Sequence, residues 1–220
     1  MSAKTPLASA APVRRSALRR LIEERLKDTR PPADAGAAPP AELFTGAGDV
    51  LRQYYSSAPV AAAVLVPIIE HPDELSILLT QRAAHLKNHP GQISFPGGRI
   101  EPADAGALAA ALRETEEEIG LAREYITIAG YLEPQPVLTG FWVTPVVAFV
   151  QPGFTLNIDR SEVESTFEVP LEHILDSRNH HTHERMLGEL RVPVHDIPYR
   201  DHRIWGATAG MLMGLYQLLR

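Results

Sequence analysis

The chain has no cysteine among its 220 residues. A disulfide scaffold, a zinc–thiolate site and a cysteine nucleophile are thereby excluded, which leaves the chemistry to histidine and carboxylate groups. Long apolar runs are missing too. APVAAAVLVPII, residues 58–69, is interrupted by proline and falls short of the roughly 20 residues a membrane span needs. An excess of positive charge is also absent, since the formal net charge is −6. Neither nucleic acid nor a membrane surface attracts a net acidic protein without a local basic patch. The chain is therefore expected to be soluble and cytoplasmic, with no nucleic-acid or membrane partner. A small anionic substrate is compatible with this charge if the site supplies its own cations.

What is present is enough apolar material, 45% of residues, for one globular domain with some peripheral chain. Residues 1–30 are basic, with Arg14, Arg15, Arg19, Arg20, Arg25, Lys27 and Arg30 set against Glu23, Glu24 and Asp28. Composition alone resembles an organellar transit peptide, but ALRRLIEERLKDTR contains acids, and Leu18, Ile22 and Leu26 recur at helical spacing. An amphipathic helix that docks on its own domain or on a partner fits better. PPADAGAAPP, 31–40, reads as a linker, so the chain divides into an N-terminal segment, 1–40, and a domain, 41–220.

Within the domain, 58–69 and ELSILLTQRA, 74–83, are predicted strands joined by a turn. YITIAGYLEP, FWVTPVVAFV, ERMLGELRVPVH and HRIW read as further strands, PLEHILDS as a short helix and GATAGMLMGLYQLLR as a closing helix. The closing helix is apolar enough for core or for a homodimer interface. Strands interleaved with few helices predict a mixed β-sheet sandwiched between helices, an α+β or α/β/α arrangement.

The stretch FPGGRIEPADAGALAAALRETEEEIGL, 95–121, carries the chemistry. Asp104 as N-cap and Gly120 past the C-terminus bound a helix of about 105–119. Leu108, Leu112, Thr115 and Ile119 form its expected core stripe. Glu114, Glu117 and Glu118, at i, i+3 and i+4, then share an opposite patch, while Glu116 points elsewhere. Like charges so spaced destabilise a helix by roughly 0.2–0.5 kcal/mol per pair and lie at the negative end of its dipole. A solvated acidic face with Arg113 and Arg123 as loose partners is the bland reading. Convergent glutamates behind a glycine turn that allows close backbone approach also suit a hard divalent cation, Mg²⁺ or Mn²⁺, held against a substrate's phosphates.

Gly98, Arg113, Glu114, Glu117, Glu118, Gly120 and Leu121 resemble the Nudix box, in which a glycine and an acid precede Arg-Glu-x-x-Glu-Glu-x-Gly and an aliphatic residue. Two departures stand out: the first acid is Asp104 rather than glutamate, and one extra residue separates it from Arg113. Upstream, LLTQRAAHLKNHPGQISFPGG, 78–98, is similar to the signature of the coenzyme A pyrophosphatase branch. Leu78, Leu79, Thr80, Arg82, Ala83, Gly91, Phe95, Pro96, Gly97 and Gly98 fit its order, and Lys87 stands where that pattern has arginine. A lysine keeps the charge without the bidentate fork.

The resemblance implies a Nudix fold and hydrolysis of a nucleoside diphosphate linkage, with coenzyme A or acyl-CoA cut to 3',5'-ADP and (acyl-)4'-phosphopantetheine. It implies Glu114, Glu118, Glu117 and Gly98 at the metal, Glu117, Glu114 and Arg113 in catalysis, and Arg82, Lys87, Gly91, Phe95 and Gly97 at the substrate. Glu162, beside Glu164, is a further candidate for the metals or the base. ADP-ribose or a dinucleotide as substrate and a non-catalytic binding module are the competing readings. His180, His181 and His183 are expected on a solvated loop, because the carboxylates already account for a hard metal.

Overall fold

The computed structural model describes residues 10–31, 59–137, 140–187 and 190–220. The linker expected at 31–40 lies, beyond Pro31, outside these residues, as does the expected domain start near 41. The apolar run after Pro59 forms β1 (Val60–Glu70), and its near-continuous burial shows a strand covered on both faces. β2 (Leu75–Arg82) returns antiparallel to it, with Ile68 opposite Ile77. β7 (Phe141–Val150) pairs parallel to β1 over its length, from Val60 opposite Phe141 to Ile69 opposite Val150. β5 (Ile126–Tyr131) and β6 (Gln135–Val137) pair with β7, and β8 (Val163–Pro170) joins β2. Short β3 (Ile93–Ser94) pairs with β2, and β4 (Gly97–Arg99) with β1.

Helices cover both faces of this mixed sheet, as the sequence predicts. α2 (Ala107–Ile119) packs on one face through Ala107, Ala110, Ala111 and Ile119, against Ala63, Leu65 and Leu78. On the other face lie α1 (Ala10–Leu26), α3 (Leu171–Leu175) and α4 (Gly206–Leu219). Ile22 and Leu26 of α1 are 0% and 1% exposed and join the same core as Phe149 and Leu212, with Leu18 packed at its margin. Thr29 Oγ1 accepts the Tyr131 backbone N–H at 2.8 Å, and Arg15 donates to the His71 carbonyl at 3.0 Å. α4 turns Ala209, Met211, Leu212 and Leu215 into that core.

A second sheet packs beside α4, with β10 (Leu190–Tyr199) between β9 (His181–Leu187) and β11 (His202–Trp205). ERMLGELRVPVH is thus the β9–β10 hairpin, whose residues 188–189 lie outside the described set. His181 and His183, expected on a loop, sit instead on strand β9, paired with Asp196 and Val194. His180 is half-buried, its Nε2 2.7 Å from the Ile174 carbonyl and its ring edge-on to Tyr216. No helix among the described residues is long and apolar enough to cross a membrane.

Candidate active site

α2 begins two residues later than Asp104 as N-cap would give, with Gly106 at its N-cap and no side-chain cap. Asp104 instead accepts the Arg113 guanidinium, from Nε at 3.1 Å and Nη2 at 2.9 Å, and the Glu101 N–H at 2.8 Å. The extra residue is therefore absorbed in the loop before α2, and the acid still reaches Arg113. The core stripe is also rotated from the expected one. Ala107, Ala110, Ala111, Thr115, Glu118 and Ile119 are buried, whereas Leu108 and Leu112 are only partly covered. Small alanines let the helix lie close to the sheet, and Thr115 satisfies its hydroxyl on the Ala111 carbonyl at 2.6 Å. Gly120, at φ 67°, closes the helix by donating to the Glu116 carbonyl, as expected of a C-terminal glycine.

The rotation separates the glutamates. Glu118 is 4% exposed and lies on the buried face, contrary to the expected outer patch. Gly97 N–H donates to its Oε2 at 3.2 Å, and Arg82 Nη1 stands 3.8 Å from its Oε1. Burial pushes the Glu118 carboxyl up to about 8; Gly97 and Arg82 pull against this, while the charges of Glu162 and Glu114 add to it. Glu114 is half-buried, and burial raises it first, opposed by its bond to Arg113 and reinforced by the charges of Glu117 and Glu162. Glu117 is exposed and turned outward. Arg113 Nη1 bridges Glu114 Oε1 and Glu117 Oε2, each at 2.9 Å, and Nη2 reaches the Arg99 carbonyl at 3.1 Å. The salt bridge to Asp104 holds that carboxyl below its usual range. Arg113 thus fixes the rim, while Glu114 and Glu118 face the glycine turn.

Two glycines make this turn possible. A Cβ on Gly97 would lie 2.6 Å from Val64 Cα, so no side chain fits where β4 passes β1. A Cβ on Gly98 would lie 2.5 Å from the Glu114 carboxyl carbon. The residue that the metal reading places nearest the ions is therefore also the one that admits Glu114.

Glu162 arrives by a route not visible in the sequence. The segment between β7 and β8 donates from Asn157 and Asp159 N–H to the Ile119 and Glu118 carbonyls, both at 2.9 Å. These are open carbonyls at the end of α2, which need such partners. The Glu162 carbonyl then accepts Ala83 N–H at 2.8 Å, tying the segment to the end of β2. Strand pairing carries Arg82 to the same place: its N–H donates to the Gln92 carbonyl at 2.9 Å and its carbonyl accepts Gly91 N–H at 3.1 Å. Gly91, at φ 68°, shapes this loop, and Lys87 is exposed on it. Phe95 corrects the expectation of substrate contact. It is 3% exposed and packed in the core on the far face, so its ring has no surface to offer a ligand.

The donor set fits a hard cation. Its groups are oxygens, and Glu118 is a buried carboxyl held off its ordinary ionisation, a state that a divalent charge would reverse. Among the described residues, no three carboxylates or imidazoles converge into a cage of their own. An ion that keeps several waters and shares a substrate's phosphates does not need one.

Layers, glycine turn and carboxylate helix together define a class. A family model of the NUDIX domain matches residues 59–206, and the chain belongs to the Nudix family. It is 39% identical over 154 residues to a protein named "Uncharacterized Nudix hydrolase NudL" from Enterobacter sp. (strain 638), covering 70% of this chain and 80% of that one. The protein of the same name from Escherichia coli (strain K12) matches with the same identity and coverage. Among solved structures, a Caenorhabditis elegans Ap4A hydrolase binary complex is 25% identical at a TM-score of 0.44, over 50% of this chain and 80% of that chain.

Proposed function

We propose that the protein is a divalent-metal-dependent pyrophosphohydrolase, and that its substrate is coenzyme A or an acyl-CoA. The products are 3',5'-ADP and (acyl-)4'-phosphopantetheine. The observation that carries this reading is the position of Arg82. That arginine belongs to LLTQR, the segment similar to the coenzyme A pyrophosphatase signature, and its guanidinium stands 3.8 Å from Glu118 of the Nudix box. The segment implying the substrate and the segment implying the chemistry therefore share one site.

Glu114 and Glu118 would hold Mg²⁺ or Mn²⁺, with the Gly98 backbone beside them. Bound there, the ion supplies Lewis-acid stabilisation of charge building on the phosphoryl oxygens. Arg82 holds the diphosphate across the Glu118 carboxylate, and Lys87 adds a second cation from the loop. Water attacks one phosphorus, the P–O–P bond breaks, and the bridging oxygen leaves on the other phosphate. The water's proton passes to a rim carboxylate. Glu162 takes this role, a reading supported by its charge reaching both Glu114 and Glu118, while Arg113 binds Glu117.

A turnover screen of coenzyme A, ADP-ribose and dinucleotides with Mg²⁺ and Mn²⁺ tests the proposal. Coenzyme A is expected to be cut with the highest kcat/KM. Turnover of ADP-ribose but not coenzyme A would overturn the substrate, and no turnover of any would overturn the enzyme.

A further inference from the structure

A cleft of about 380 Å³ opens between the β2–β3 loop and the β10–β11 hairpin, next to the carboxylate site but not part of it. That volume is at the small end for ligand sites, the size for one portion of a substrate. Its walls include Gln81, Gln92, Asp201, Arg203 and Trp205. Gln81 adjoins Arg82 in sequence, and Gln92 accepts the Arg82 N–H through its carbonyl. The wall of the cleft is therefore the same backbone that sets Arg82 beside Glu118.

The chemistry of the walls is specific. Trp205 provides a broad aromatic face, and the Arg203 guanidinium stands 5.8 Å from its ring centroid. Arg203 Nε donates to buried Asp196; among the described residues, its two terminal nitrogens have no partner. The Gln81 carbonyl oxygen accepts from Ser165 Oγ at 3.3 Å, and that of Gln92 is 2.9 Å from His89 Nδ1. This orientation leaves both amide NH₂ groups as donors. With the Asp201 carboxylate as acceptor, they complement the edge of an aminopurine, which offers a ring-nitrogen acceptor beside an exocyclic amine. His89, at φ 56°, and Arg200, at φ 52°, are the non-glycine residues with left-handed backbone among those described. Each directly precedes a cleft-lining residue, Pro90 and Asp201, and such strain gathers where a ligand site over-determines the chain.

We propose that this cleft binds the aminopurine and ribose phosphate of the substrate, with the base on Trp205 and a phosphate monoester on Arg203. The inference rests on the coenzyme A reading and assigns its nucleotide end to these residues. Trp205 is also the reporter, because the other tryptophan, Trp142, is only 6% exposed.

The test titrates the full chain in EDTA with the two halves of the substrate, neither of which can be hydrolysed at a diphosphate. 3',5'-ADP is expected to change tryptophan fluorescence saturably, and 4'-phosphopantetheine is not. Trp205→Phe should abolish the signal and weaken calorimetric binding about tenfold. Arg203→Gln should raise the Kd of 3',5'-ADP by about tenfold or more, and that of 5'-AMP much less, with Arg203→Lys intermediate. Should Arg203→Gln fail to fold, the Trp205→Phe and Arg203→Lys results decide alone. A signal from 4'-phosphopantetheine instead, a 3',5'-ADP signal that survives Trp205→Phe, or unchanged affinity in the folded Arg203 variants overturns the assignment. Coenzyme A cut without these effects removes the cleft and leaves the function, whereas these effects without turnover of coenzyme A remove the function and leave an adenylate site.

Discussion

Glu118 is the residue on which the site turns. Its folded carboxyl stands at about 8 against an ordinary 4.5, so the folded protein holds a proton that the unfolded chain releases. Its contribution to stability is therefore present below about pH 4.5 and lost as pH rises through about 8. A divalent ion bound at the proposed site would compete with that proton. The rise in Tm on adding Mg²⁺ should thus be larger at pH 9 than at pH 6, as differential scanning fluorimetry would show; an equal rise would place the ion elsewhere. Glu118→Gln should lower kcat by at least about 100-fold without lowering Tm at pH 8 in EDTA, because a buried amide avoids the ionisation penalty. The residue types were legible in the sequence, but their division was not. Helical spacing groups Glu114, Glu117 and Glu118, and only the alanine face shows that Glu118 turns inward and Glu117 outward. Phe95 misleads for a similar reason: its neighbours Gly97 and Gly98 approach the carboxylates, while its own side chain belongs to the core.

At the scale of elements, β4 and α2 work as a pair, and their two glycines predict opposite phenotypes. Gly97→Ala forces a Cβ against β1 and should cost about 2–4 kcal/mol in denaturant unfolding. For Gly98→Ala the nearest atoms belong to the Glu114 carboxylate, the far end of a flexible side chain. It should leave Tm within a few degrees and weaken Mg²⁺ activation about 10–100-fold, a cost typical of disturbed ligand orientation. The reverse pattern would separate Gly98 from the metal. β1, β2 and β7 could be read from apolar runs, because burial on both faces leaves a continuous signal, and α4 from its apolar length. β3, β4, β6 and β8 could not. β4 is three residues containing two glycines, and β8 is the largely half-buried edge strand VESTFEVP, whose polar residues carry no period that sets it apart from a loop. The segment that delivers Glu162 is held by backbone bonds to α2, which leave no trace in side-chain pattern.

At the scale of the whole molecule, α1 closes the face of the sheet opposite the carboxylates. Ile22 and Leu26 are fully buried aliphatic side chains, worth about 1.5–3 kcal/mol each. Removing residues 1–31 should therefore lower Tm by roughly 6 °C or more. A truncated chain with unchanged Tm would support the proposed division at residue 40. The helix itself was legible from Leu18, Ile22 and Leu26, but its choice of partner was not, since that depends on Gly130 letting the end of α1 approach β5. The central claim is that the Nudix carboxylates and the LLTQR strand end form one site that cuts coenzyme A at its diphosphate. ³¹P nuclear magnetic resonance of coenzyme A incubated with the full chain and Mg²⁺ tests it most directly. The two diphosphate resonances should give way to two new monoester resonances, assigned by added 3',5'-ADP and 4'-phosphopantetheine, and should persist with Glu118→Gln. Unchanged diphosphate resonances with the wild-type chain, or equal loss with Glu118→Gln, would contradict it.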